Sequence, residues 1–455
     1  MNPRKIVKKF IPVGLFRRIE PLGHLGEAVL FNLIYRFPAR GLKVIGVTGT
    51  NGKTTTSFLI HRMLHESGYK VGLMTTVAYG AGGNIKPQIE HMTTASVPVL
   101  LRRIKQLKAE GIEWLVLETT SHALAQYRVW KVPYSIAVMT NITEEHLDYH
   151  GTFERYRDAK RRMFKLANRN RRGLRTGIIN AEDPSAGLFA KDIKNKITYG
   201  IKAGELRAEK LQMNASGNRF IAKIEDKSYN ITCHLPGSFN VFNSLAAVGV
   251  GHTLGLSSEQ IEQGIAALKN VEGRMVTVFE GQNFEVIVDY AHTPDSFEKM
   301  FKDIKPLVKG RLIVMFGSAG RRDEKKRPVQ GKLAGKFADI VFITEEDDRD
   351  MDGQAIMEEI AAGAEAAGKV KGRDLFLIHK REDAIEAAFR AAKKDDVVLL
   401  LGKGHEKSIL TNGPKAAELR HLQQDDSNPD RVVERPYNEV KAAQAALKRL
   451  KTAKS

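Results

Sequence analysis

The sequence predicts an α/β protein of two domains, each with a mostly parallel sheet covered by helices. Three observations lead to this fold class. A strand, a Gly-rich loop and a helix follow one another within residues 42–66. Two separate series of short apolar runs alternate with helix-like runs, and several of the apolar runs end in polar clusters. Such alternation is typical of parallel sheets with helices on both faces, whose ligands bind where the strands end.

The composition excludes several classes of protein. The 455 residues suffice for two to three domains. The net charge is +19, but the basic residues are dispersed and no aromatic-interleaved basic motif indicates nucleic acid, so anionic small-molecule substrates are expected instead. The single cysteine, Cys233, excludes an internal disulfide and a multi-cysteine metal site. No apolar run approaches the ~18 residues of a transmembrane helix and no signal peptide is evident, so a cytoplasmic protein is expected.

Residues 1–41 are basic, contain several apolar clusters and precede both series of strands and helices. Helices packed on the body of the protein would account for this composition. A contact with a partner protein or a peripheral membrane contact would account for it too, because basic and apolar residues together suit anionic lipid headgroups. The segment shows no clean amphipathic period, so these interpretations stay open.

The Gly-rich loop is typical of a nucleotide-binding site. It follows a strand at Val44–Val47, and its residues with the start of the next helix are Gly49, Thr50, Asn51, Gly52, Lys53 and Thr54. Glycines let backbone N–H groups approach a phosphate, and a helix N-terminus favours negative charge. Lys53 is expected to reach the outer phosphates of ATP, and the Thr54 hydroxyl to hold Mg²⁺. The spacing is not the strict Walker pattern, since Val47 occupies the position of the first glycine.

The first series of elements continues to about residue 272. Its further strands are expected at Val71–Thr76, Trp114–Leu117, Ser135–Met139, Ile197–Tyr199, Phe220–Ile224 and Tyr229–His234. Its further helices are expected at Val97–Lys108, Arg155–Phe164, Val241–Leu254 and Glu259–Leu268. Glu118 and the segment 141–150 each follow a strand, so both should lie beside the phosphate loop. A carboxylate in that place suits Mg²⁺.

The second series begins near residue 274. Strands are expected at Val286–Val288, Leu312–Phe316, Ile340–Ile343, Leu375–Ile378 and Val397–Leu401. Helices are expected at Ser296–Ile304, Gln330–Phe337, Gly353–Ala367 and Glu382–Ala392. The predicted fold is therefore α/β, with a P-loop ATPase domain at 42–272 and a C-terminal Rossmann-like domain at 273–447. Residues 448–455 are expected to form a basic tail.

The order of nine motifs resembles that of the Mur ligases, ATP-dependent amino-acid ligases of peptidoglycan precursor synthesis, and most closely the MurE branch. The motifs are TGTNGKTTT, ETTSHAL, TNITEEHLDYHGT, YRDAK, LPGSFNVFN, GRM, DYAHTPDS, FGSAGRRDEKKRP and LGKGHE. The resemblance runs from about Leu42 to Leu447. It implies an ADP-forming ligase that phosphorylates the carboxylate of a muramoyl-dipeptide-type acceptor with ATP and then joins the acyl phosphate to an amino acid.

The resemblance also implies a role for individual residues. The implied catalytic residues are Lys53, Lys160, His146 and Glu118, with Lys160 as a carbamate, and the implied metal ligands are Thr54, Glu118, His146 and Lys160. The implied ATP contacts are the loop Gly49–Thr54 with Asn240, Asn243, Arg274, Asp289 and His292. The implied acceptor contacts are Thr93, Thr94, Thr120, Gln126 and Arg128. The implied contacts to the incoming amino acid are Arg322, Glu346, Asp347, Asp348, Arg349, Gly402 and Glu406.

Two departures from the family pattern limit what the resemblance implies. The family motif Asp-Asn-Pro-Arg, which accompanies diaminopimelate, reads Glu346-Asp347-Asp348-Arg349 here, so diaminopimelate and lysine are both open. The family's N-terminal UDP-binding domain is expected to be absent. A monomer is expected. Two alternatives remain: a ligase related to folylpolyglutamate synthase or cyanophycin synthetase, and a nucleotide-binding partner without turnover.

Overall fold

The computed structural model describes residues 13–88, 93–214, 217–321, 323–411 and 433–452. After an N-terminal helix α1 (Val13–Ile34), the chain forms one large sheet with its helices and then a second, smaller one. The strands of the first sheet are β1 (Lys43–Thr48), β2 (Val71–Met74), β3 (Ala78–Ala81), β4 (Asn84–Pro87), β5 (Trp114–Glu118), β6 (Tyr134–Met139), β7 (Thr176–Asn180), β8 (Asn195–Gly200), β9 (Leu206–Asn214), β10 (Gly217–Ile224) and β11 (Lys227–Cys233). The helices beside it are α2 (Lys53–Glu66), α3 (Val97–Ala109), α4 (Ser121–Ala125), α5 (Leu147–His150), α6 (Phe153–Arg169), α7 (Ala186–Ala190), α8 (Ser238–Thr253) and α9 (Ser258–Ala266).

The first sheet has the strand order β11-β10-β9-β8-β7-β6-β1-β5-β2-β3-β4. The seven strands from β9 to β2 run parallel, and antiparallel strands extend both edges. The strand β1 lies in the middle, between β5 and β6, with Val44 to Thr48 buried. This apolar strand therefore delivers the phosphate loop to the centre of the strand-end edge, where ligands bind in such sheets.

The second sheet has the order β12-β13-β17-β14-β15-β16 and is parallel apart from the short β12. Its strands are β12 (Val276–Thr277), β13 (Glu285–Asp289), β14 (Leu312–Phe316), β15 (Ile340–Ile343), β16 (Leu375–Leu377) and β17 (Val397–Leu401). Its helices are α10 (Pro294–Ile304), α11 (Lys326–Phe337), α12 (Gly353–Ala366), α13 (Arg381–Ala391) and α14 (Glu439–Thr452), and the strands β18 (Ser408–Thr411) and β19 (Val433–Pro436) form a separate pair. The two mostly parallel sheets confirm the predicted fold class.

Each sheet is covered on both faces, which explains why its central strands are apolar throughout. Helices α2, α8 and α9 bury one face of the first sheet, around Leu59, Met63 and Val248, which are fully buried. Helices α3 and α6 bury the other, around Leu100 and Phe164. None of the helices in the described ranges is long and apolar enough to cross a membrane.

Several strands were not predicted from the sequence. The hairpin β3–β4 has a mostly exposed outer strand, so it lacks the apolar run that marks a core strand. Strand β9 mixes charged and apolar residues, and it is the last parallel strand, paired with β8 on one side and with the antiparallel β10 on the other. Strands β18 and β19 flank residues outside the described ranges. The predicted basic tail also begins too early, because helix α14 continues to Thr452 and includes the first five residues assigned to that tail.

Candidate active site

The phosphate loop joins β1 to α2 in a conformation that requires glycine at Gly52. This residue has a φ of 80°, and an added Cβ would collide with the side-chain oxygen of Asn243. The Lys53 ammonium donates a hydrogen bond to the carbonyl oxygen of Thr50 at 2.6 Å, so it lies folded over the loop. Asn141, at the end of β6, accepts a hydrogen bond from the Asn51 N–H at 2.9 Å. The loop is thus held by neighbouring strand ends in an arrangement that suits an anion.

Beside the loop, Glu118 lies at the end of β5 and is 1% exposed. It accepts hydrogen bonds from the Thr54 hydroxyl at 2.9 Å and from the hydroxyl and N–H of Thr76, both at 3.0 Å. A buried carboxylate against a loop hydroxyl is the oxygen donor set that Mg²⁺ prefers next to phosphates. These residues therefore fit the divalent cation that the sequence implies.

The two other implied metal ligands approach from the segment after β6 and from α6. His146 has a φ of 56° and packs edge-on against the ring of His122, with 4.7 Å between ring centroids. Lys160 is 2% exposed, and its ammonium donates to the carbonyl oxygen of Gly49 at 2.6 Å. Burial, reinforced by the charge of Lys53, holds the pKa of Lys160 well below its usual value. Lys160 therefore releases its proton more readily than an exposed lysine does.

Glu145 joins the loop to the second domain. Burial alone would raise the pKa of its carboxyl, but the charges of the neighbouring histidines and lysines outweigh burial and lower that pKa to about 2. One of its oxygens lies 3.7 Å from Nε2 of His146, in the same domain. The other lies 3.8 Å from Nε2 of His292, which belongs to the second domain. The Tyr156 hydroxyl donates to Glu145 at 3.3 Å. The sequence assigned no role to Glu145, although its position next to His146 was a usable signal.

The implied nucleotide contacts converge on the loop from α8 and from the second domain. Asn243 accepts from the Thr56 hydroxyl at 3.1 Å and donates to the side-chain oxygen of Asn240 at 2.9 Å. Arg274 donates to the Thr54 hydroxyl at 3.4 Å and stacks on the Tyr290 ring, 4.6 Å from its centroid. All five implied residues, Asn240, Asn243, Arg274, Asp289 and His292, line the same cavity as the loop.

Two of these residues have strongly altered acidity. Asp289 accepts the N–H groups of Met275 and Ala291 at 2.8 and 2.7 Å, yet burial still raises the pKa of its carboxyl. Burial, with the charge of Lys326, lowers the pKa of His292 to about 4. His292 is therefore neutral near pH 7 and can accept a hydrogen bond from a nucleotide.

The implied acceptor residues lie on the other side of Glu118. The Thr94 hydroxyl donates to the Glu118 carbonyl oxygen at 3.1 Å and lies 3.3 Å from the Thr120 hydroxyl. Arg128 donates to the Thr94 carbonyl oxygen at 2.9 Å and to the side chain of Gln126. Four of the five line the cavity: Thr93, Thr94, Thr120 and Arg128. Gln126 does not line it, but its side chain accepts the hydrogen bond from Arg128.

The implied amino-acid residues divide into two groups. Glu346, Asp347, Arg349 and Glu406 line the cavity. Asp348 does not line the cavity, because its carboxylate pairs with His379 Nε2 at 2.7 Å instead. Gly402, with a φ of 101°, packs against the Glu346 carboxylate and does not line the cavity itself. Arg322 lies outside the described residues.

A buried lysine that sequence reasoning missed organises this pocket. Lys403 is 0% exposed, and its ammonium contacts Asp347 at 2.9 Å and Glu406 at 2.6 Å. Burial alone would lower its pKa, but the two carboxylates outweigh burial and raise it. Among the described residues, none donates a hydrogen bond to one of the two Glu346 carboxylate oxygens, which is buried, and burial raises the pKa of Glu346 to about 7. The signal for Lys403 was its place within the LGKGHE motif.

Together these residues surround one cavity of about 830 Å³ between the two sheets. Its wall contains the phosphate loop, the Glu118 carboxylate, acceptor residues such as Arg128, and amino-acid residues such as Arg349. Contacts across the domain boundary connect its walls, among them a hydrogen bond from Asn51 to Asp295 at 2.7 Å. The residues implied for the nucleotide, the acceptor and the amino acid thus line a single cavity.

Family models match most of the chain. The Mur ligase middle domain matches residues 47–251, and the Mur ligase glutamate ligase domain matches residues 273–404. A UDP-N-acetylmuramyl-tripeptide synthetase from Roseiflexus sp. is 40% identical over 412 residues, 88% of this chain and 81% of its own length. A UDP-N-acetylmuramoyl-L-alanyl-D-glutamate--2,6-diaminopimelate ligase from Clostridium acetobutylicum is 38% identical over 404 residues, 88% of this chain and 80% of its own.

Solved structures show the same architecture. A UDP-N-acetylmuramoyl-L-alanyl-D-glutamate--2,6-diaminopimelate ligase matches with a TM-score of 0.62 and 27% identity, over 93% of this chain and 83% of that one. A folylpolyglutamate synthase from Mycobacterium tuberculosis, complexed with ADP, matches with a TM-score of 0.67 over 83% of this chain and 91% of that one. At 16% identity the second likeness concerns the fold alone.

These matches confirm the predicted family, and with it the predicted class of enzyme, an ATP-dependent, ADP-forming acid–amino-acid ligase. The predicted function, amide-bond formation in peptidoglycan precursor synthesis, is confirmed at the level of the family. The chain belongs to the Mur ligase family.

Proposed function

We propose that this ligase adds diaminopimelate to a UDP-linked muramoyl dipeptide, in the cytoplasm and as a monomer. The observation that carries the proposal is the shared cavity, since a phosphate loop, an acceptor wall and an amino-acid pocket all line the same cavity. The relative named as a UDP-N-acetylmuramoyl-L-alanyl-D-glutamate--2,6-diaminopimelate ligase supports it, at 38% identity.

The first step transfers the terminal phosphoryl group of ATP. An oxygen of the acceptor carboxylate attacks the γ-phosphorus, the bond to the β-phosphate oxygen breaks, and ADP leaves. Lys53 and the loop N–H groups stabilise the charge on the transferred group. Arg128, which donates to the Thr94 carbonyl oxygen at 2.9 Å, would orient the acceptor peptide beside Glu118.

Thr54, Glu118, His146 and a carbamate on Lys160 would hold Mg²⁺ at this point. Bound there, the cation would neutralise charge on the phosphate oxygens. The Lys160 carbamate forms when the neutral amine attacks CO₂ and releases one proton. The lowered pKa of Lys160, caused by burial and by Lys53, raises the fraction of neutral amine that can react with CO₂.

The second step forms the amide. The amino nitrogen of the incoming amino acid attacks the acyl carbon, loses a proton, and expels inorganic phosphate. The acyl phosphate must be protected from hydrolysis, and cross-domain contacts such as Asn51 with Asp295 hold the two domains together at the cavity.

The pocket supports diaminopimelate over lysine. The distal end of diaminopimelate carries an ammonium and a carboxylate, whereas lysine carries an ammonium only. Glu346 and Glu406 suit the ammonium. Arg349 suits the carboxylate, because its Nε is buried without a hydrogen-bond partner and its side chain lines the cavity. Lysine lacks a group for Arg349 and would leave that donor unpaired.

The test supplies purified protein with ATP, Mg²⁺, UDP-muramoyl-L-alanyl-D-glutamate and a panel of amino acids. Diaminopimelate is expected to give phosphate, ADP and ligated product in equal amounts, with the product identified by mass spectrometry. Efficient use of lysine and none of diaminopimelate would refute the assignment of the pocket.

Two further arms of the assay address the remaining alternatives. A reduced folate supplied with glutamate tests the folylpolyglutamate-synthase alternative, which the common fold keeps open. A UDP-free muramoyl dipeptide tests whether uridine contributes to binding. Phosphate release from none of the acceptors, by protein that still binds ATP, would favour the nucleotide-binding partner instead.

A further inference from the structure

Helix α1 has an exposed face made of apolar side chains. Leu22, Leu30, Leu33 and Ile34 are 68%, 55%, 58% and 59% exposed. At 100° per residue they fall within an arc of about 120° on one side of the helix. Single exposed leucines are ordinary on protein surfaces, but four exposed apolar side chains on one side of a single helix indicate an interaction site.

The opposite face of α1 is fixed to the protein. Ala28 is fully buried against Val97 and Leu101 of α3, and Phe31 and Tyr35 pack around the same cluster. The segment that follows the helix is held as well, since the Lys108 ammonium donates to the Arg40 carbonyl oxygen at 2.5 Å. Because these contacts fix the rotation of α1 about its axis, the apolar stripe cannot turn inward and must face whatever lies outside.

The charges around the stripe indicate what lies there. Residues 1–41 contain eight Lys and Arg but only two acidic residues, Glu20 and Glu27. Between residues 21 and 34 the only acidic or basic side chains are His24 and Glu27, and His24 is 8% exposed. Basic residues precede this stretch and follow it, with Arg36 and Arg40 exposed at its end.

An apolar stripe flanked by cations fits the boundary between acyl chains and anionic headgroups. We propose that α1 docks the enzyme peripherally on an anionic lipid surface, with Leu22, Leu30, Leu33 and Ile34 entering the acyl boundary and Arg36 and Arg40 contacting the headgroups. A second copy of the chain is a poorer occupant, because two segments with the same positive charge repel each other. The proposal is independent of the reaction proposed above.

The docking helix lies close to the acceptor side of the active site. Tyr127 and Trp130 pack against the cluster that holds α1, and Arg128 between them lines the catalytic cavity. The support of the docking helix is therefore continuous with the acceptor wall of the cavity.

The test is flotation of the full chain with vesicles of phosphatidylcholine alone or mixed equally with phosphatidylglycerol. The chain is expected to float with the anionic vesicles and not with the neutral ones. Leu30→Ser with Leu33→Ser, and separately Arg36→Glu with Arg40→Glu, should each weaken binding to anionic vesicles by about tenfold or more. Two exposed apolar residues elsewhere, changed as Leu174→Ser with Leu307→Ser, provide a matched control that should bind like wild type.

A second readout locates the contact. Cys233 is 1% exposed, so an environment-sensitive thiol dye on Leu33→Cys protein reports on α1 and should shift to the blue when anionic vesicles are added. Absence of flotation and of the shift would overturn the proposal, as would a serine variant that binds as well as wild type. Sedimentation velocity tests whether a second copy of the chain occupies the stripe instead. If the wild-type chain were a dimer that the serine changes dissociate, and if it did not bind vesicles, the stripe would serve self-association and the lipid-docking proposal would be overturned.

Discussion

Replacement of Glu346 by glutamine should stabilise the second domain in a pH-dependent way. This carboxyl is 7% exposed, one of its oxygens has no hydrogen-bond partner, and burial raises its pKa from 4.5 to about 7. Between those two values the folded chain keeps a proton that the unfolded chain has already released. The contribution of Glu346 to the free energy of unfolding therefore falls as the pH rises from about 4.5 to 7, and it is lowest above pH 7.

The size of the effect follows from the shift. At 1.36 kcal/mol per pH unit, a rise of about 2.5 units destabilises the ionised protein by about 3 kcal/mol. Glutamine has the same shape and no charge, so Glu346→Gln should recover about 2–3 kcal/mol of unfolding free energy at pH 8 and much less at pH 5. The same change should raise the KM for the amino acid, because the pocket loses its unpaired carboxylate.

The assay must follow the second domain by itself. Both tryptophans, Trp114 and Trp130, lie in the first domain, so their fluorescence reports its unfolding and serves as an internal control. Hydrogen exchange of peptides covering β15 and β17, in increasing urea at pH 5 and pH 8, reports the second domain.

Asp347→Asn is the matched control with the opposite sign. Asp347 accepts from the Lys403 ammonium and from the Leu410 N–H, both at 2.9 Å. Loss of the Asp347 carboxylate should destabilise the second domain by about 1–3 kcal/mol, since the buried Lys403 ammonium loses a partner. If the difference between wild type and Glu346→Gln were the same at pH 5 and pH 8, the carboxyl would not be an uncompensated buried acid and the reasoning would be refuted.

Three further predictions concern turnover. Lys53→Ala should lower phosphate release at least about 100-fold in a folded protein, because it removes charge stabilisation at the transferred phosphoryl group; near wild-type release would contradict this role. Lys160→Ala should be nearly inactive and partly restored by formate or acetate, while Lys165→Ala, on the same helix with a half-exposed side chain, should stay active; an active Lys160→Ala enzyme would exclude the carbamate. Arg349→Ala should raise the KM for diaminopimelate by about tenfold or more and change that for lysine little. Arg321→Ala, which affects an exposed pair with Asp350, is its control, and an equal loss for both amino acids would count against the carboxylate contact.

The sequence by itself determined the fold class and the position of the phosphate loop. Both depend on local order along the chain: a buried apolar strand, glycines where the backbone needs a positive φ, and a Lys-Thr pair at a helix start. The same logic placed Glu118 beside the loop, because a residue that follows a parallel strand lies at the ligand-binding edge of the sheet.

Only the tertiary structure decided which side chains form the amino-acid pocket. Glu346 and Asp348 are two residues apart in one acidic run, yet Glu346 faces the cavity and Asp348 pairs with His379. Lys403 becomes a pocket residue because its charge is buried between two carboxylates, one of them 56 positions away in the chain. The orientation of a strand-end side chain depends on partners brought from other strands, and a local pattern contains no information about those partners.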